Sequence, residues 1–290
     1  AEERDGLYPE DINGDGLILQ MRLKDPNGAW KCSDKDARIM RRREMDEEDG
    51  TYYHLMTEGL IRNYDGFTIP LAPPRQGLDI NRNYPFEWVP EGTQRGAGPY
   101  PFSEPETRAQ AEFWRTHLNI SGFLTYHTSS GVLLRPYSTK PDDAMPPADL
   151  DMFTLLGQRG TQLTGYPCVS TYHGFRYGPR EVTHGAMDDY VYDHFGWFGF
   201  TTELWDLPTT AGIGPRDFIA WLRWHPEEDD LALMRWNDAV MEGAAFVDWQ
   251  PFQHPQLGPV DIGGWHAKLF QQNAPLKYLP ELCEQHSRFT

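Results

Sequence analysis

From residue 103 onward the chain alternates between stretches with helical apolar spacing and short apolar runs bounded by turn residues. Ser103-Glu104-Pro105-Glu106 sets a serine three residues before a glutamate, the capping-box arrangement that satisfies orphan backbone donors, and predicts a helix over 104–118. GFLTYH, residues 122–127, is rich in β-formers and bounded by Asn119, Ser121 and Gly122, which predicts a buried strand ending at His127. VLLRPY (132–137) predicts a second strand, and WFGFTTEL (197–204) a third that sets Glu203 near its end. Residues 149–164 and 187–195 read as helices, and 228–246 carry apolar positions at helical spacing. Helices alternating with apolar strands predict an α/β fold, a mixed, mostly parallel sheet flanked by helices. Ligands of such sheets bind beyond the carboxyl ends of strands, so His127 and Glu203 are expected to share a cleft. Residues 24–76 are charged and turn-rich without periodic pattern, and are expected to form a long irregular excursion. The expected organisation is one domain over 1–290, with 207–290 as a C-terminal extension.

Composition narrows the function classes. The 290 residues, 39% apolar and 24% charged, are those of an ordinary globular protein. No apolar run approaches the roughly 18 residues of a membrane span. The 43 acidic against 26 basic residues give a net charge of −17, which repels phosphate backbones. A membrane span and general nucleic-acid binding are therefore excluded. Cys32, Cys168 and Cys283 lie far apart, so there is no CxxC pair and at most one disulfide, which leaves the compartment open. The chain opens with a charged AEERDG instead of a basic and then apolar leader, so a signal peptide is expected to be absent or already removed.

Four segments carry candidate chemistry: NGDG (13–16) with Arg22, GLDINRN (77–83), TYHTSS (125–130) and HGAMDDYVYDHFGWFGFTTELWD (184–206). In this order, and with SEPET at 103–107, they resemble the M14 zinc carboxypeptidases over about residues 11–22 and 77–206. The resemblance implies that His127 is a zinc ligand and that Glu203 is the general base for a water. It implies that Asn81 and Arg82 grip the terminal carboxylate of a peptide substrate, and that Arg22 polarises the scissile carbonyl. It makes Asp79 a carboxylate that orients a zinc-binding histidine and places Asp188 at the floor of the side-chain pocket, where an acid selects C-terminal Lys or Arg. The mobile tyrosine of the family is unmatched, since Glu181 falls at that position; Tyr177 is the nearest substitute. These residue types suit these roles. Imidazole is a zinc ligand, an arginine fork matches a carboxylate, and a fixed cation stabilises an oxyanion. A secreted or periplasmic location is what the resemblance favours.

The family takes two further zinc ligands from an HxxE motif upstream of the segment matched by 13–16, and no histidine precedes Asn13. The expectation is one zinc ion whose other two ligands are not found in this chain, a metal-deficient chain with the N-terminal part of the fold missing, and an N-terminal fragment or partner chain that completes it. The only HxxE, His225 to Glu228, stands far downstream. Asp11, Asn13, Asp15 and Gly16 read as the start of a calcium loop, but Arg22 occupies the position that needs a bidentate glutamate. Glu181 and His184 form a second candidate metal pair. Two rival functions stand beside a carboxypeptidase: a non-catalytic binder of peptide carboxylates, and a same-fold amidase acting on cell-wall peptides or amino-acid conjugates.

Overall fold

A computed structural model describes residues 4–73 and 77–290. They divide into two units, one drawn from residues 1–76, 208–216 and 224–272, the other from 77–207, 217–223 and 273–290. Where one domain was expected, separate apolar clusters form in each unit.

The second unit carries the elements with the clearest pattern. Its strands β1 (Gly122–Thr128), β2 (Val132–Arg135), β3 (Cys168–Ser170) and β4 (Phe198–Leu204) lie in the order β1-β4-β2-β3. β4 runs parallel to β1 and antiparallel to β2, and β3 is parallel to β2. With its helices this is the expected α/β arrangement of a mixed, mostly parallel sheet. Helices α1 (Pro105–Thr116), α2 (Pro147–Thr164) and α3 (Met187–Phe195) fall close to their predicted bounds. α3 begins with Asp188 and Asp189 in its first turn, where carboxylates meet the positive end of the helix dipole. It ends at Gly196, whose left-handed φ of 69° lets its N–H reach the Tyr192 carbonyl at 2.9 Å.

Aromatic packing seats α3. Phe153, fully buried, meets Tyr192, Phe198 and Phe200 edge-on with ring centroids 5.2, 5.0 and 5.7 Å apart. Met187, Tyr190 and Val191, three and four residues apart, turn toward Tyr84 and Trp197. Each such side chain contributes about 1.5–3 kcal/mol when fully buried. Together these contacts hold the first turn of α3 in place.

The capping box at α1 does not form. The Ser103 hydroxyl donates to Glu104 Oε1 at 2.7 Å. Instead Asn83, fully buried, accepts from Glu104 N at 3.2 Å and the Thr107 hydroxyl at 2.9 Å. Its NH2 group donates to the Ala97 and Tyr100 carbonyls and to Ser103 Oγ at 2.8, 3.0 and 2.9 Å. A carboxamide both donates and accepts, so it satisfies the helix start and two loop carbonyls at once, which a serine cannot do.

The first unit departs most from the sequence pattern. The stretch 24–76, expected to be irregular, contributes strands Trp30–Cys32, Met40–Arg42, Tyr53–Thr57 and Gly59–Arg62 among its described residues. The first three join Gln20–Lys24 and the hairpin Phe246–His254/Gly258–Trp265 in a six-stranded antiparallel sheet. Strands of three to five residues, none fully buried along its length, are too short for a period of two to show in the sequence. The sheet packs on Leu7, Leu19, Met21, Ile61, Val260 and Ile262. The helix expected over 228–246 spans Glu227–Val240. Glu242 and Gly243 then take positive φ values of 55° and 82°, which breaks the helix, and the apolar Phe246 begins the hairpin. Among the described residues no helix is long and apolar enough to cross a membrane.

Candidate active site

The parallel pairing of β1 and β4 places His127 and Glu203 as direct neighbours at the carboxyl ends of both strands. His127 Nδ1 lies 4.0 Å from Glu203 Oε1. Glu203 is 8% exposed, and its Oε2 is buried with no hydrogen-bond partner among the described residues. Burial pushes its carboxyl up to about 7, Asp79 and Asp188 add to the rise, and the Arg82 charge opposes it. Burial likewise pushes the His127 imidazole below its usual value, against the pull of Asp188 and Asp79. A carboxyl that titrates near neutrality with an uncommitted oxygen is suited to accept a proton.

Opposite these groups stands the turn Asp79–Asn83. Asp79 Oδ1 accepts the Asn81 N–H at 2.9 Å and so starts the single turn Ile80–Arg82. Asp79 Oδ2 meets Arg82 Nη2 at 3.4 Å, and Arg82 Nη1 donates to the Asn81 carbonyl at 2.8 Å. The Asn81 side-chain oxygen accepts Met187 N at 2.8 Å, so the NH2 group is what Asn81 presents to the cavity it lines.

A cavity of about 190 Å³ joins the two sides, and His127, Glu203, Asn81, Arg82, Asp188 and Tyr177 all lie on its wall. Asp188 is 3% exposed. Its Oδ2 accepts from Thr201 Oγ1 at 3.2 Å and its Oδ1 from Asp189 N at 3.1 Å, while burial pushes its carboxyl up. Asp189 turns both oxygens to Ser138 N, at 3.0 Å each. Burial first, and then the charge of Asp188, hold the Asp189 carboxyl well above the usual range. Of the two neighbouring acids it is Asp188 that faces the cavity. Tyr177 is 52% exposed, and its hydroxyl is pushed up by the burial of that end of the ring, with Arg82 pulling the other way.

Arg22 lies in the first unit. Its Nε bonds Asp261 at 2.9 Å, its Nη1 meets Cys32 Sγ at 3.3 Å and Met40 Sδ at 3.4 Å, and its guanidinium stacks 5.0 Å from the Tyr53 ring and 4.6 Å from Trp249. A roomier cavity, about 510 Å³, surrounds this cluster, but it is lined without a histidine or a buried unpartnered carboxylate. Volume alone does not mark the chemistry.

The alternative metal readings find their side chains otherwise engaged. His225 bonds Asp230 at 3.1 Å, and Glu228 bonds Lys35 at 2.9 Å. In the 11–16 loop, Asp11 accepts the Gly14, Asp15 and Gly16 amides at 2.8, 3.2 and 2.9 Å. His184 turns Nδ1 to the Glu87 carbonyl at 2.8 Å, away from a pairing with Glu181. Among the described residues no group of three or more His, Cys, Asp and Glu could hold a metal ion. A catalytic zinc takes three protein ligands, so the described residues do not by themselves fit one.

Sequence reasoning passed over Asn83, Ser138 and Thr201. Thr201 was within reach, because two residues before Glu203 on one strand means the same face of the sheet. Asn83 stood in the quoted NRN motif with no local sign of its burial. Ser138 gave no signal, since its contact with Asp189 spans 51 residues.

A histidine and a glutamate at adjoining strand ends, facing an Asn-Arg turn across a small polar cavity in an α/β unit, is the layout of a peptide hydrolase. The chain belongs to the zinc carboxypeptidase family, whose sequence profile (Peptidase_M14) matches residues 15–220. It is 34% identical to carboxypeptidase B of Rattus norvegicus over 143 residues, 45% of this chain and 32% of that protein. It is 31% identical to carboxypeptidase A6 of Homo sapiens over 147 residues, 45% of this chain and 31% of that one. The match thus spans about a third of these curated relatives. Among solved structures, thrombin activatable fibrinolysis inhibitor is similar with a TM-score of 0.40 and 22% identity, over 57% of this chain and 41% of that chain. The family implies zinc and a peptide hydrolase class.

Proposed function

We propose that this chain acts on the C-terminal end of peptides as a metallocarboxypeptidase that prefers a terminal Lys or Arg. The observation that carries this is the pairing, in one cavity, of an Asn-Arg turn with Glu203, a buried carboxyl raised to about 7 with a free oxygen. Arg82 offers a planar fork to a terminal carboxylate, and the Asn81 NH2 group adds a donor. Asp188 takes a cationic side chain: a Lys or Arg gains a charge-assisted pair there, whereas Phe or Leu leaves a buried carboxylate unpaired, at a cost of several kcal/mol in order of magnitude. Glu203 accepts a proton from a water held against its Oε2 and returns it to the leaving amine. Tyr177 covers the substrate from the exposed side of the cavity, Asp79 holds the Arg82 turn, and His127 is the family's ligand position. The role of Arg22 toward the scissile carbonyl belongs to this proposal and competes with its pairing to Asp261. Zinc supplies the family's Lewis acid; the steps assigned here are those that this chain's own side chains perform. Residues 1–290 alone are expected to retain zinc weakly, because one imidazole does not make a three-ligand site.

The test is to offer residues 1–290, with and without added zinc, peptides ending in Arg, Lys, Phe and Leu as free acids and as amides. Free acids should bind over amides and basic ends over apolar ones, and Arg82→Ala should erase the acid preference. Equal affinity for acids and amides would sink the reading. The absence of a three-ligand group among the described residues favours a second reading, a non-catalytic binder of peptide carboxylates. Binding of the acids with no release of the terminal amino acid in the presence of zinc would select it.

A further inference from the structure

We propose that Gln94 is a positioning residue that fixes the distance between the carboxylate-gripping turn and the side-chain pocket, and so sets which C-terminal residue the site selects. The proposal rests on the function inferred above. A terminal residue must satisfy two groups at once, Arg82 at its carboxylate and Asp188 at its side chain, and these are 106 positions apart in the sequence. Selectivity for side-chain length therefore depends on what holds the loop 184–187, just ahead of Asp188, against the segment that follows Arg82.

Five hydrogen bonds do so. Two are between main-chain groups: Tyr84 N to the Gly185 carbonyl at 3.0 Å and Gly185 N to the Phe86 carbonyl at 3.2 Å. A third is Met187 N to Asn81 Oδ1 at 2.8 Å, which uses a member of the grip itself. The remaining two belong to Gln94. Its Nε2 donates to the His184 carbonyl at 2.8 Å, and its Oε1 accepts His184 N at 2.8 Å. The carboxamide meets the donor and acceptor of one residue as a neighbouring strand would, which fixes the loop in translation and in tilt.

The support behind Gln94 is rigid. Glu91 accepts the Gly96 and Gly98 amides at 2.9 and 3.1 Å, and the Gly96 carbonyl accepts Asp79 N at 3.0 Å, so the loop that carries Gln94 is tied to the first residue of the gripping turn. The opposing loop is seated as close as a backbone allows. A Cβ on Gly185, whose φ is +66°, would stand 2.4 Å from the Arg82 carbonyl oxygen. Gln94 is half-buried and acts through His184, so its removal leaves the cavity's own side chains intact. Displacements near 1 Å are enough to change recognition at such a site.

The experiment compares the wild-type chain with Gln94→Ala and Gln94→Glu, the latter keeping the acceptor for His184 N and losing the donor. Affinities are measured for peptides ending in Arg and in Phe, each as free acid and as amide, and amide hydrogen exchange is followed over residues 184–189. The expected result is a fall of about tenfold in the Arg-over-Phe ratio for Gln94→Ala, the scale of two lost hydrogen bonds, and a smaller fall for Gln94→Glu. The acid-over-amide ratio should hold, and exchange at 184–189 should quicken. An unchanged Arg-over-Phe ratio overturns the proposal, and so does a parallel loss of acid preference, which marks a merely structural role. If the wild type shows no acid preference, the function inferred above fails. Unchanged exchange at 184–189 in Gln94→Ala then overturns the positioning role by itself.

Discussion

Glu58 and Glu203 are both buried glutamates, one in each unit, and they are held in opposite ways. Glu58 is fully buried, and its two oxygens accept the Ile12 and Leu19 amides at 2.9 Å each, so it closes the loop between them. Glu203 is nearly as buried, yet one oxygen has no partner among the described residues and its carboxyl is raised to about 7. A buried polar group is costly unless it is hydrogen-bonded. The satisfied carboxylate is part of the scaffold, and the unsatisfied one keeps an oxygen available for chemistry. The same contrast separates Asp189, bound twice by Ser138 N, from Asp188, which faces the cavity.

The contrast can be broken most directly by removing each carboxylate in turn. Glu58→Ala strips the acceptor from two backbone amides and should cost about 3 kcal/mol or more in chemical denaturation. Glu203→Gln, which removes a charge that nothing compensates, should leave stability near neutral pH unchanged or higher. If both variants lose the same stability, Glu203 is scaffold after all.

The pH dependence of Glu203 sharpens the comparison on a similar scale. Its folded value lies above the ordinary 4.5, so the folded chain holds a proton that the unfolded chain has released. That stabilisation is present at pH below about 4.5 and is lost as pH rises through about 7, on the order of 3 kcal/mol for a group this buried. Denaturation midpoints of the wild type should therefore fall across that window relative to Glu203→Gln. Parallel curves for the two proteins would place Glu203 in a solvated setting.

A smaller effect is expected in specificity. Asp188→Ile removes the charge that pairs with a basic end and adds apolar surface, which should turn a preference for Arg over Phe into equality or a reversal, a change of about tenfold or more. A basic preference that survives the substitution would move the specificity to another residue, with Asp189 excluded by its bonds to Ser138.

The chain order of residues went far in this protein where the elements are long or strongly apolar. The strands that end at His127 and Glu203 and the helix over 187–195 could be read from pattern, because a period of two or of 3.6 repeats within one buried segment. Their parallel pairing, which makes His127 and Glu203 neighbours, follows once both strands enter one sheet. The family resemblance rested on the same segments and is matched by the profile over 15–220. Short, half-exposed strands between 24 and 76 left no such mark. Neither did the replacement of the Ser103 capping box by Asn83, a contact that skips 21 residues to Glu104 N.

What only the tertiary structure decided is which polar groups are already spent. Residue type and spacing name Glu58 and Glu203, Asp188 and Asp189, and Arg22 and Arg82 as equals. The partner that each finds lies tens to hundreds of residues away, as with Arg22 and Asp261 across 239 positions. Sequence pattern reports local periodicity, whereas desolvation and hydrogen-bond satisfaction are sums over neighbours in space. The placement of a glutamate at a strand end was therefore legible in the chain, and the raised carboxyl and free oxygen that make it a base were decided by the fold around it.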